Sequence, residues 1–125
     1  MRDELRRVLD VVLRDVRVSG APVPGIQDDD WADDPLLASA MLVCDGSAVG
    51  IRVSLDLPEA DRVAEAADQV QEWVIDELRG TAATNWPPCP DHPGSHPLRA
   101  EVRAGSARWV CPSHGMPFCP IGSLA

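Results

Sequence analysis

A chain of 125 residues with 20 Asp and Glu against 11 Arg, and a net charge of −9, has room for one modest core, or for a small domain with a metal-stapled appendage. Two catalytic domains do not fit. The charge is unevenly placed: residues 1–84 hold 8 Arg against 18 acids, a net −10 that repels phosphate backbones and anionic lipid, while residues 85–125 hold 3 Arg against 2 acids.

Leu5, Val8, Leu9, Val12, Leu13 and Val16 recur at steps of three and four between Arg and Asp, which predicts an amphipathic helix. It stops near Ser19-Gly20, because Ala21-Pro22-Val23-Pro24-Gly25 cannot continue it. The charged start Met1-Arg2-Asp3-Glu4 runs into this pattern without an apolar stretch of signal-peptide or membrane-spanning length, so a cytoplasmic location and no membrane partner are expected. In a reducing compartment, four cysteines read as metal ligands or buried thiols before they read as disulfides.

Asp28, Asp29, Asp30, Asp33 and Asp34 surround Trp31 in the next segment. A calcium loop starting at Asp28 needs Gly at its sixth position and Glu at its twelfth, where the chain has Asp33 and Ser39. A solvated acidic loop, with Trp31 tucked against the core, is the expectation instead.

From Ala40 to Val53 the chain reads as a hairpin turning at Asp45-Gly46. A two-residue turn pairs Cys44 with Ser47, Leu42 with Val49, Ala40 with Ile51 and Ala38 with Val53, giving one apolar face. Cys44 then sits on the buried face as a small core residue and is excluded from any metal site. Because two strands alone are marginal, the hairpin should gain a third from the linker, the C-terminal segment or a second copy of the chain; a homodimer through that edge is one expectation. Asp56-Leu57-Pro58-Glu59 resembles a capping box at the start of a second helix, whose stripe is Val63, Ala66, Ala67, Val70, Trp73, Val74 and Leu78, ended by Gly80.

The chemistry lies further on, in Cys89-Pro90-Asp91-His92 and Cys111-Pro112-Ser113-His114. In Cys-Pro-x-His a tight turn after a thiolate returns the residue three positions on to the same metal. Two such pairs flanking an alternating stretch (Leu98, Ala100 and Val102 against Arg99, Glu101 and Arg103, then Ala107 and Trp109) match zinc-ribbon organisation. Few large apolar side chains occupy these forty residues, so bound zinc, contributing about 10–16 kcal/mol as in isolated finger peptides, is expected to hold them together. Cys89, His92 and Cys111 are the principal candidate ligands. His114 is favoured for the fourth place by repetition of the motif, His96 by its His-x3-His spacing from His92, and Cys119 stands in reserve.

The run from Trp86 to Leu98, with Trp109-Val110-Cys111-Pro112 and Ile121-Gly122-Ser123-Leu124, resembles the tail of small uncharacterised actinobacterial proteins. That resemblance implies counterparts of Cys89, His92, His96 and Cys111 and brings no activity with it. The expected fold class is α+β, with a small antiparallel hairpin sheet and two helices in residues 1–84 and a zinc-ribbon-like β-hairpin module in residues 85–125.

The expected function is a zinc-stapled module, with Zn2+ structural, that binds an unidentified protein partner through the acidic loop and the open hairpin edge. A nucleic-acid-binding ribbon, using Arg99, Arg103 and Arg108 with Trp86 and Trp109 as stacking faces, ranks below it because of the acidity next door. A metal-dependent hydrolase with three ligands and Asp91 or Glu101 as carboxylate ranks third. Nucleobase deamination is rejected for want of His-x-Glu and a second cysteine three residues after Cys89.

Overall fold

A computed structural model describes residues 1–81 and 84–125; residues 82 and 83, at the end of the expected front module, lie outside the described residues. The described residues form an α+β fold of two helices and two three-stranded antiparallel sheets. Helix α1 spans Asp3–Val18 and buries Leu5, Val8, Leu9, Val12, Leu13 and Val16, the stripe that the periodicity picks out. The Ser19 hydroxyl bonds back to the carbonyls of Asp15 and Val16, and the chain turns away at Gly20.

The first sheet orders β1 (Gly25–Asp28), β2 (Leu37–Cys44) and β3 (Ser47–Ser54) side by side. The β2–β3 register pairs Cys44 with Ser47, Leu42 with Val49, Ala40 with Ile51 and Ala38 with Val53, as the turn demands. Asp45 and Gly46 both take positive φ, the signature of the two-residue turn whose twist suits a hairpin. The third strand is β1, so the linker supplies it, and the other side of the hairpin is partly covered. The Gln69 side chain pairs with both the N–H and the carbonyl of Arg52, and Glu65 accepts from the N–H and hydroxyl of Ser54. Side chains of the second helix thus occupy part of the β3 edge that was expected to be open.

The apolar face of the hairpin is less uniform than its pattern. Ala38, Ala40, Leu42, Ile51 and Val53 are buried, whereas Val49 is 48 % exposed and Cys44 only half-buried, because the helices do not cover the turn end of the sheet. Trp31 also departs from expectation. It lies on the opposite face, 43 % exposed, with its indole N–H bonded to the Ala40 carbonyl at 3.0 Å and its ring over Gly50, where a Cβ would come within 2.8 Å of it. Ser39 fastens the acidic loop to that face by donating to the Asp29 carbonyl and accepting from Ala32 N–H.

Helix α2 (Glu59–Leu78) carries the predicted stripe, with Val63, Ala66, Ala67, Val70, Trp73 and Val74 buried. Its start differs: Pro58 is the cap residue, no side chain caps the helix, and Glu59 reaches Arg7 on α1, so the expected capping box is not made. The second sheet joins β4 (Arg99–Arg103), β5 (Ser106–Val110) and β6 (Pro117–Pro120). The hairpin turns at Ala104-Gly105, again with both φ positive; β6, which closes the sheet beyond the second Cys-Pro-x-His, has no alternating pattern to announce it.

Helix α2 touches β3 on one side and β4 and β5 on the other. One buried cluster therefore contains the helix stripes together with Trp86, Leu98, Trp109, Ile121 and Leu124. Each fully buried Val or Leu in it contributes about 1.5–3 kcal/mol relative to exposure. The cohesion of residues 85–125 thus has an apolar source in addition to any metal.

Candidate metal centre

Two loops carry the candidate ligands, and each is held by a buried polar side chain of a helix. The first loop runs between Trp86 and Leu98. Its base is closed by Leu98 N–H bonding to the Pro87 carbonyl, and within it Cys89 N–H meets the His96 carbonyl while His92 N–H meets that of Cys89. Gln71 of α2, 8 % exposed, donates to the carbonyls of Trp86 (3.0 Å) and Leu98 (2.5 Å), pinning both ends of the loop to the helix. The Trp86–Pro87 peptide is cis, and the Trp86 indole N–H donates to the Ser19 hydroxyl.

The second loop comes after β5. Here Gly115 N–H bonds to the Cys111 carbonyl and Cys111 N–H to that of Met116, closing a tight turn that leads into β6. The segments on either side of it, β5 before and the chain beyond β6 after, are anchored by Asp15 of α1, a fully buried carboxylate. Asp15 accepts from the Trp109 indole N–H (2.8 Å), Gly122 N–H (2.7 Å), Leu124 N–H (3.0 Å) and the Arg14 guanidinium (3.1 Å). A charge at that depth is tolerated only when donors surround it, as these do. Neither Asp15 nor Gln71 stands out in sequence: each interrupts or borders an apolar helical stripe, which was the one available signal.

The two anchored loops bring Cys89, His92, His96 and Cys111 together, one ligand atom from each lying within 4.8 Å of the others. His92 Nδ1 is 3.7 Å from both sulfurs. A tetrahedral zinc with usual bond lengths sets sulfur and nitrogen about 3.6 Å apart, so this spacing fits one. Cys89 and Cys111 are buried, and the two imidazoles are half-buried.

His96 shows how the group is wired. Its Nδ1 faces the Pro97 carbonyl at 3.2 Å; since a carbonyl only accepts, Nδ1 is the donor there, and in the neutral imidazole this leaves the lone pair on Nε2. That Nε2 is buried and has no hydrogen-bond partner among the described residues. A buried lone pair without a donor is costly, and a cation beside two thiolates and a second imidazole is the partner that the donor set suits.

Cys111 is prepared for a ligand's role. Burial pushes its thiol up, but the backbone N–H groups of His114 and Ser113, together with the Cys89 side chain, outweigh this and hold it below the usual thiol range. Burial pushes the Cys44 and Cys119 thiols up, and neither joins the group. Cys119 lies opposite Trp109 in β6 and Cys44 at the end of β2.

His114, expected as a ligand by motif repetition, is drawn elsewhere. Its Nε2 pairs with Asp91 at 3.0 Å and its Nδ1 accepts from Met116 N–H at 3.1 Å, so both ring nitrogens are engaged. It lies beside the group, its ring centre 5.9 Å from that of His92, and ties one loop to the other.

Comparison with known proteins adds no relative: no family model, curated protein or solved structure matches the chain. Among the described residues no helix is long and apolar enough to cross a membrane.

Proposed function

We propose that the chain binds one zinc ion through Cys89 Sγ, His92 Nδ1, His96 Nε2 and Cys111 Sγ, that the metal is structural, and that the protein acts as an interaction module. The buried, unpartnered Nε2 of His96, on an imidazole grouped with two thiols and a second imidazole, carries the metal reading. Two thiolates and two neutral imidazoles match zinc's borderline softness and its preference for four ligands; the set leaves no place for a reacting water.

The carboxylates considered for hydrolysis have other work. Asp91 holds His114, and Glu101 is shared by Arg99 and Arg103, which lower its pKa. Trp86 and Trp109, considered as stacking faces for nucleic acid, are 3 % and 0 % exposed. A protein partner is supported by the surface that remains: the exposed Trp31, fixed by its bond to the Ala40 carbonyl, and a cleft of about 600 Å3 in which Asp28, Asp30, Asp33 and Asp34 outnumber the positive groups of Met1 and Arg2. None of the residues lining that cleft belongs to the metal group.

Metal content of untagged protein, measured by mass spectrometry, tests the reading. About one zinc per chain is expected, lost in Cys89→Ala, Cys111→Ala and His96→Ala and retained in His114→Ala. Reduced, unchelated protein without metal would sink it.

A further inference from the structure

Cys89 and Cys111 belong to separate loops, yet both sulfurs lie 3.7 Å from the same atom, His92 Nδ1, and within 4.8 Å of each other. A crevice of about 70 Å3 reaches both, its walls made by Cys89, Asp91, Cys111, His114, Met116 and Phe118. Water takes about 30 Å3 in the liquid, so the crevice has room for a molecule of two oxygens. The remaining cysteines, Cys44 and Cys119, stand outside this group.

We propose that the metal group is a peroxide-gated release device, in which hydrogen peroxide converts Cys89 and Cys111 to a disulfide and frees the zinc; this rests on the zinc reading of the site. One thiolate sulfur attacks a peroxide oxygen, the O–O bond breaks, and hydroxide leaves and takes up a proton, which makes the sulfur a sulfenic acid. The second thiolate attacks that sulfur, the S–O bond breaks, and the second hydroxide takes up a proton. Two thiolates, one peroxide and two protons give one disulfide and two waters, the sulfurs supplying the two electrons that reduce the peroxide.

The donor set couples release to oxidation. Zinc with two thiolates and two neutral imidazoles carries no net charge, which suits its depth; once the sulfurs are joined, the dication keeps only two half-buried imidazoles and departs. Part of the loops' support is independent of the metal. The new S–S bond spans the same two loops, while Gln71 and Asp15 hold those loops to α2 and α1 through contacts that do not involve the metal.

The test treats the zinc-loaded 125-residue protein with hydrogen peroxide in the presence of a colorimetric chelator. Free thiols are counted and disulfides mapped by mass spectrometry, in the parent and in a Cys44→Ser, Cys119→Ser double variant. Expected are zinc release in step with loss of two thiols, a Cys89–Cys111 linkage, the same yield in the double variant, and renewed zinc binding after reduction. Zinc retained while other thiols oxidise, or zinc lost through sulfinic acid without a Cys89–Cys111 bond, overturns this proposal and leaves the metal site standing. Purified protein that contains no zinc overturns the metal reading, and the proposal with it.

Discussion

Cys89-Pro90-Asp91-His92 and Cys111-Pro112-Ser113-His114 share one pattern and end in different geometries. In the first, the histidine turns inward and lies 3.7 Å from both sulfurs; in the second, it turns outward and binds Asp91 of the first. The path of the chain downstream of each motif makes the difference. After His92 the chain folds back, with Ser95 N–H bonded to the His92 carbonyl and the His96 carbonyl bonded to Cys89 N–H, so a second imidazole enters the group. After His114 the chain passes at once through Gly115 and Met116 into β6, whose Pro117 pairs with Val110, and the imidazole stays on the outside of the turn. A four-residue motif directs its thiolate; the return path of the backbone directs its histidine.

The strongest way to break this comparison is to delete one histidine from each copy. His92→Ala should abolish metal binding, whereas His114→Ala should weaken it by about tenfold, the low end of the scale for an outer partner. Chelator competition on the two purified variants reads both numbers, and equal losses would restore the symmetry that the motif suggests.

The anchors differ as well, and next in size is the one beneath the second copy. Asp15→Ala strands the donors of Trp109, Gly122 and Leu124 and should cost about 3–5 kcal/mol in denaturant unfolding of the metal-loaded protein. Under the first copy the anchor is neutral. Gln71→Leu leaves two carbonyls unpaired, and a loss of about 1–3 kcal/mol is expected from the same titration.

The smallest effect belongs to the tie between the copies. Asp91→Asn alters an exposed hydrogen bond from His114 and should change stability by no more than about 1 kcal/mol. A larger loss, read from the same unfolding curves, would mean that the His114–Asp91 contact organises the loops and is not merely a bridge between them.

Much of the architecture can be read without coordinates because it rests on short-range physics. The α1 stripe repeats every three to four residues, and the Asp45-Gly46 turn admits one register, so helix and hairpin are dictated by neighbours in sequence. The strands β1 and β6 are not visible in this way. Gly25-Ile26-Gln27-Asp28 and Pro117-Phe118-Cys119-Pro120 are four residues long without alternation, and they become strands by pairing with β2 and β5. Trp31 departs from its expected place for a similar reason. An indole by itself suggests burial, and only Gly50 across the sheet reveals that the outer face has a seat for it.

The composition of the metal group divides along the same line. Residue types and spacing alone limit the candidate ligands to Cys89, His92, His96, Cys111, His114 and Cys119, since thiolate and imidazole chemistry is a property of the side chain. Which four converge depends on loop closure, on Met116 N–H claiming His114 Nδ1, and on the Pro97 carbonyl orienting His96. Those are contacts in space, and no periodicity encodes them. Asp15 and Gln71 belong to the same category: an acid and an amide in apolar stripes read as imperfections until the loops arrive whose N–H and C=O groups they satisfy.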